Sequence, residues 1–305
     1  MTDPAAVLDA GDPPVEHRSR LRTTVETVLR NRLAVAGLIM LTVLVVVALF
    51  APLIAPYGIN EPDVANRLSG PSLDHVFGTD NIGRDVFSRV VIASRVSLQV
   101  GAISVGIAVA LGVPIGLISG YYGGRIDSVL MRLMDILLSI PAIVLAIAIL
   151  AALGPNIFNA MVAIGIVYTP IFARITRGSV LSLRDAVFVR AARSIGATDT
   201  RIIATHILPN VIAPIIVQTS LSLAFAILAE AALSFLGLGV QPPDPAWGRM
   251  LSEGRGFFQQ APWMALFPGL AILFTVMSFN LVGDGLRDAL DPQQRSLIES
   301  RGVAE

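Results

Sequence analysis

Apolar residues fill this chain in long, almost uncharged blocks separated by short polar stretches. A helix needs about 20 apolar residues to cross roughly 30 Å of hydrocarbon. Residues 33–54 meet that length, as does the uncharged stretch 96–124. Residues 136–173 carry no charge at all and are too long for one crossing, but Gly154-Pro155-Asn156 offers a tight reversal between two. Blocks at 211–233 and 263–282 supply two more. The pattern predicts an all-α integral membrane protein with six transmembrane helices. Pro114 and Pro141 fall inside spans, where they remove a backbone donor and seed kinks.

Composition agrees. Of 305 residues 54% are hydrophobic and 14% charged, with mean hydropathy +0.73, whereas soluble domains carry roughly 25% charged residues. All 22 basic residues are arginine. Without lysine the chain cannot build a phosphate-binding P-loop, which needs a Lys on the β/γ-phosphates, so ATP-driven work requires a partner. There is no cysteine, and His17, His75 and His206 are too scattered in sequence to suggest a metal site. Residues 1–17, rich in Pro, Asp and Ala, are expected to be disordered. The first span is long and lacks a prompt small-residue cleavage site, so it reads as an uncleaved anchor. With the N-terminus inside, sixteen arginines fall in cytoplasmic segments and six outside, at Arg67, Arg84, Arg89, Arg95, Arg249 and Arg255. That bias predicts cytoplasmic termini.

Within the spans, Gly112, Gly116 and Gly120 recur every four residues and form a flat stripe on which another helix can pack closely. Asp135 stands one turn from Arg132, an expected interfacial pair. Glu230, late in the fifth span, would either line a path or hydrogen-bond a neighbouring helix.

Between Arg174 and His206 the apolar run stops without becoming loop-like. Val187, Ala191, Ala192 and Ile195 recur on one face of a short helix. Gly196 suits the left-handed residue that ends it. A second short helix from about Asp199 carries Ile202 and Ile203, and Pro209 opens the next span. Physics alone leaves two places for this helix–turn–helix: a groove on another protein, or the membrane surface with arginines on anionic lipid.

The same stretch resembles the loop of the binding-protein-dependent ABC permeases: Glu-Ala-Ala, three residues, Gly, nine residues, Ile-x-Leu-Pro. Ala191-Ala192, Gly196 and Leu208-Pro209 stand at that spacing, while Arg190 replaces the acid and His206 the isoleucine. Three further stretches resemble the dipeptide/oligopeptide/nickel branch, C-type subunit. They are Gly78-Thr79-Asp80-Asn81-Ile82-Gly83-Arg84-Asp85, Leu233-Ser234-Phe235-Leu236-Gly237-Leu238-Gly239 with Pro242-Pro243 and Trp247-Gly248, and the run from Asn280 through Gly283-Asp284-Gly285 to Asp291-Pro292.

This resemblance implies an N-terminal span ahead of a five-helix permease core. Segments would be a cytoplasmic tail (1–32), first helix (33–55), extracytoplasmic segment (56–94), permease domain (95–290) with its coupling loop at about 184–209, and a cytoplasmic tail (291–305). Val187, Arg190, Ala191, Ala192, Ile195, Gly196, Leu208 and Pro209 would form the ATPase-docking loop. The implied partners are a second homologous permease, two ABC ATPases, an extracytoplasmic substrate-binding protein, membrane lipid and a peptide substrate, with no nucleic acid. The chain itself would be non-catalytic and bind no metal or cofactor, ATP and Mg belonging to the ATPases. The location would be a bacterial or archaeal cytoplasmic membrane. Nickel or another small solute is the alternative within the family; a secondary transporter or channel without ATPase is the alternative outside it.

Overall fold

A computed structural model describes residues 20–290, with no account of the side chains of residues 20–24. The tail expected to be disordered and the C-terminal tail from residue 291 lie outside the described residues. Short α1 (Arg20–Arg30) stops at Asn31, whose side-chain oxygen accepts from the amides of Leu33 and Ala34 and so caps α2 (Arg32–Leu49). One-turn α3 (Ala51–Ile54) leads into an irregular segment ending at Asp85. Asp85 accepts from the amide of Ser88 at 2.7 Å and caps α4 (Val86–Tyr122), which therefore begins ten residues before the uncharged stretch it carries. After α5 (Gly124–Ser139) and α6 (Ala142–Leu153), the reversal at Gly154 (φ +91°) precedes α7 (Ile157–Leu183), capped by Asn156. Then come α8 (Val187–Ser194), α9 (Asp199–Arg201), α10 (Leu208–Phe235), α11 (Trp247–Arg255) and α12 (Trp263–Leu290).

Small residues set the packing order. A Cβ on Gly112, Gly116 or Gly120 would lie 2.5–2.7 Å from Thr169 O, Ala173 O and Val180 Cβ, so α4 and α7 touch backbone to backbone. Both numberings rise together, so the two helices run parallel. Gly101 meets Ile227 of α10, Gly283 of α12 meets Ser220 of α10, and Gly37 of α2 meets Leu281 of α12. In hydrocarbon such close approach replaces the hydrophobic drive that water supplies.

Among the described residues, five helices are long and apolar enough to cross a membrane: α2, α4, α7, α12, and α10 together with α9. The remaining crossing departs from a simple span. α5 and α6 meet at 93°, and α6 has 12 residues, so neither crosses alone. Pro141 is the cause: it restricts Ile140 to extended backbone (φ −95°, ψ 131°) and ends α5 there. Parallel α4 and α7 nevertheless require the chain to return between them. Their register, 112 against 169, means that α5 and α6 carry it back over about 33 Å, the depth of a hydrocarbon core. The bent pair is thus the return element between two parallel helices.

Candidate coupling face and outer cap

The interruption between α7 and α10 folds as two unequal pieces. α8 starts after Ala186, and its amphipathic sequence turns Val189 and Ala192 inward, against Ile202, Ile207 and the inner ends of α4 and α10. Val187 (73% exposed), Phe188, Ala191 and Ile195 (86% exposed) face outward, with Arg190 and Ser194 beside them. Ala192 therefore belongs to the inward face and not to the outward row, because position i+5 falls about 140° round the helix from position i. Phe188 joins that row instead. Gly196 (φ +81°) closes the helix, its amide donating to Arg193 O at 3.0 Å. The expected second helix does start at Asp199, but it does not end before the next span. α9 passes without a break into a π turn over Ile202–Ile207 and then α10. Pro209 in the first turn of α10 has no amide to give Thr205 O, Leu208 N reaches back to Ile203 O, and the Asn210 side chain donates to His206 O at 2.7 Å. Leu208 is half-buried and Pro209 exposed.

Polar contacts tie this loop to the end of α4. Buried Tyr121 donates its hydroxyl hydrogen to Asp199 Oδ1 (2.6 Å) and accepts from Arg193 Nη2 (3.2 Å), and the Arg193 guanidinium carbon lies 5.8 Å from its ring centroid. Donation to the Tyr121 hydroxyl oxygen holds the Arg193 pKa above its ordinary value. One turn on, Asp127 of α5 takes a bidentate pair from Arg177 of α7 (2.5 and 2.6 Å) and a hydrogen bond from Ser119. Asp135 pairs with Arg174 of α7 at 2.6 Å, not with Arg132. Packing of α5 on α7 brings the more distant arginine closer than the one a turn away.

Glu230 is 1% exposed. Its Oε1 accepts from Ser234 of its own helix at 2.6 Å, and Oε2 has no partner among the described residues. That bond stays within its own helix, and none to a neighbouring helix is seen among the described residues. An apolar cavity of about 240 Å³ opens between α6, α7 and α10, lined by Ile143, Val167, Tyr168, Phe225 and Leu228 among others, and Glu230 is not part of its wall. Such a wall can contact side chains but offers no chemistry. Among the described residues no group of three or more His, Asp or Glu could hold a metal.

At the opposite end, residues 55–85 fold into a cap. Gly78 (φ +73°) and Gly83 (φ +90°) make turns where a Cβ would meet backbone oxygen. Asp80 accepts from the amides of Ile82 and Arg84 and from Arg84 Nε (2.5 Å). Arg84 reaches Glu253 of α11 at 3.1 Å, as does Arg249 at 2.9 Å. Arg89, 1% exposed, donates to Ile59 O and lies 3.6 Å from Glu253. Trp247 and Trp263 donate their indole hydrogens to Val90 O and Thr79 O, each at 3.0 Å. Sequence marked Asp80, Arg84 and Trp247 only as motif letters and did not single out Glu253 or Trp263; the Arg84–Glu253 pairing across 169 positions has no local signal.

The geometry can now be set beside known proteins. The sequence model described as "Binding-protein-dependent transport system inner membrane component" matches residues 112–296, more than half of the chain. The chain belongs to this family. A second model, "N-terminal TM domain of oligopeptide transport permease C", matches residues 19–71, which hold α1, α2, α3 and the start of the outer cap. The dipeptide transport system permease protein DppC of Alkalihalophilus pseudofirmus is 50% identical over 297 residues, covering 96% of this chain and 98% of that protein. The glutathione transport system permease protein GsiD of Escherichia coli O6:K15:H31 is 48% identical over 265 residues (87% and 88%). The probable D,D-dipeptide transport system permease protein DdpC of Escherichia coli K12 is 46% identical over 261 (86% and 88%). Among solved structures, an inward-facing MetNI methionine ABC transporter chain superposes with TM-score 0.55 at 17% identity, covering 67% of this chain and 96% of that one. That likeness is one of fold.

In a family member, the residues that matter are those set by the helix order. The family match begins at Gly112, the first glycine of the α4 stripe, and runs through the α8 loop to beyond α12. It therefore spans both the close α4–α7 contact and the outward row on α8.

Proposed function

We propose that this chain is one of two permease subunits of an ATP-driven importer of di- and oligopeptides, working in the cytoplasmic membrane with both termini inside. Two ABC ATPases attach at the cytoplasmic face, and one of them docks on the outward face of α8 through Val187, Phe188, Ala191 and Ile195, with Arg190 and Gly196 at its edges. A substrate-binding protein delivers peptide to the outer cap, segments 57–94 and 240–262. ATP and Mg belong to the ATPases. A second permease completes the path, and the apolar cavity between α6, α7 and α10 forms part of its wall. The ATPases bias a membrane element with two arrangements, and the α8 loop passes the bias inward.

The observation that carries this reading is the exposed apolar row on α8, hung on a loop anchored by buried Val189, Ala192, Ile202 and Ile207. Water disfavours such a row, and a protein groove covers it. The three relatives of 46–50% identity named above are permeases for dipeptides, D,D-dipeptides or glutathione, itself a tripeptide, which favours peptide cargo. Deleting the gene should abolish uptake of labelled di- and oligopeptides while nickel uptake stays normal, and the chain should co-purify with ATPase subunits. Lost nickel uptake with normal peptide uptake would replace the substrate class. Activity of the chain without any ATPase would replace the transport class.

A further inference from the structure

We propose that Tyr121 is the positioning residue through which α8 moves transmembrane helix α4. This rests on the function proposed above. The α8 loop is joined by peptide bonds to α7 on one side and, through α9 and the π turn, to α10 on the other. Helix α4 has no covalent link to the loop, yet it packs against both α7 and α10 at the centre of the bundle. Apolar contacts reach it from the inward face of α8, but these can slide. Directed bonds are fewer. A single hydroxyl, on a residue 8% exposed, holds Arg193 at the end of α8 and Asp199 at the start of α9 together, at 3.2 and 2.6 Å. Both partners are ionised, so each bond is stronger than a neutral one. The Arg193 guanidinium adds a contact to the ring. A second contact, Arg184 Nη1 to Gly120 O, is long at 3.5 Å. Beyond Tyr121 the motion has a stiff receiver. Ser119 and the Asp127–Arg177 pair lock the end of α4 to α5 and α7.

The test uses the whole complex in proteoliposomes and measures ATP hydrolysed per peptide imported. Tyr121→Phe keeps the ring and its cation contact and removes both hydrogen bonds. Its ratio should rise about tenfold or more, the scale of losing even one hydrogen bond to a charged group, while ATPase association and hydrolysis stay near wild type. Asp199→Ala removes the other end of the stronger bond at an exposed site, so it reports even if Tyr121→Phe assembles poorly. The double variant should match the worse single one, because both cut the same link. An unchanged ratio in Asp199→Ala or an assembled Tyr121→Phe, or equal losses of hydrolysis and uptake, would overturn the proposal and leave the transport reading intact. A wild-type complex without ATP-dependent uptake would overturn both.

Discussion

At the scale of single residues, Gly196 joins sequence, backbone and function most directly. Its φ of +81° is one that a β-branched residue adopts only at a cost of about 1–2 kcal/mol. No atom lies within 4 Å of a Cβ built there, so the cost comes from backbone strain and not collision. Gly196→Val should re-aim the end of α8 and uncouple ATP hydrolysis from uptake. Gly196→Asn, which tolerates the left-handed region, should recover most of the uptake. Normal uptake with the valine would contradict the role given to the turn. The turn was readable because glycine after an amphipathic run has a local cause. Residues whose roles depend on distant partners were not. Asp135 looked committed to Arg132 until helix packing supplied Arg174. Tyr121, 78 positions from Asp199, carried no signal beyond an aromatic at the end of a span.

Among elements, the α4–α7 pair decides how the bundle is built, and its recognition lay in a three-glycine stripe. A Cβ on Gly116 would come within 2.5 Å of Ala173 O and 2.6 Å of Thr176 Cβ. Gly116→Val should therefore push the helices apart and cost about 3 kcal/mol or more, seen as a lower thermal midpoint and lower folded yield in detergent. Gly106 on the same helix has no atom of a neighbouring element within 4 Å of a Cβ placed there, so Gly106→Val serves as control and should leave the midpoint unchanged. An equal drop in both would mean that helix propensity, not contact, explains the loss. The broken α5–α6 return was less legible. Pro141 reads as a kink inside a span, and only its effect on Ile140 shows that the helix ends there and the chain turns by 93°. The π turn before α10 was hidden for a similar reason: Pro209 suits a helix start, yet here the helix reaches it already wound.

At the scale of the molecule, parallel α4 and α7 with a return between them put the α8 loop and the outer cap at opposite ends of the bundle. The arginine bias predicts the sides, with the α8 loop inside. Three of the six arginines on the minority side, Arg84, Arg89 and Arg249, are held in the cap by Asp80 and Glu253, which gives them a structural reason to be there. Because the chain has no cysteine, one introduced thiol reports one position. Ile195→Cys, on a residue 86% exposed, should react with a membrane-impermeant maleimide only from the cytoplasmic side, and bound ATPases should protect it. Leu73→Cys, at the fully exposed tip of the cap, should react only from outside. Reversed labelling would invert the topology and remove the docking face from the ATPases. Correct sides without protection would keep the topology and move the docking elsewhere, so the two thiols test the orientation and the partner separately.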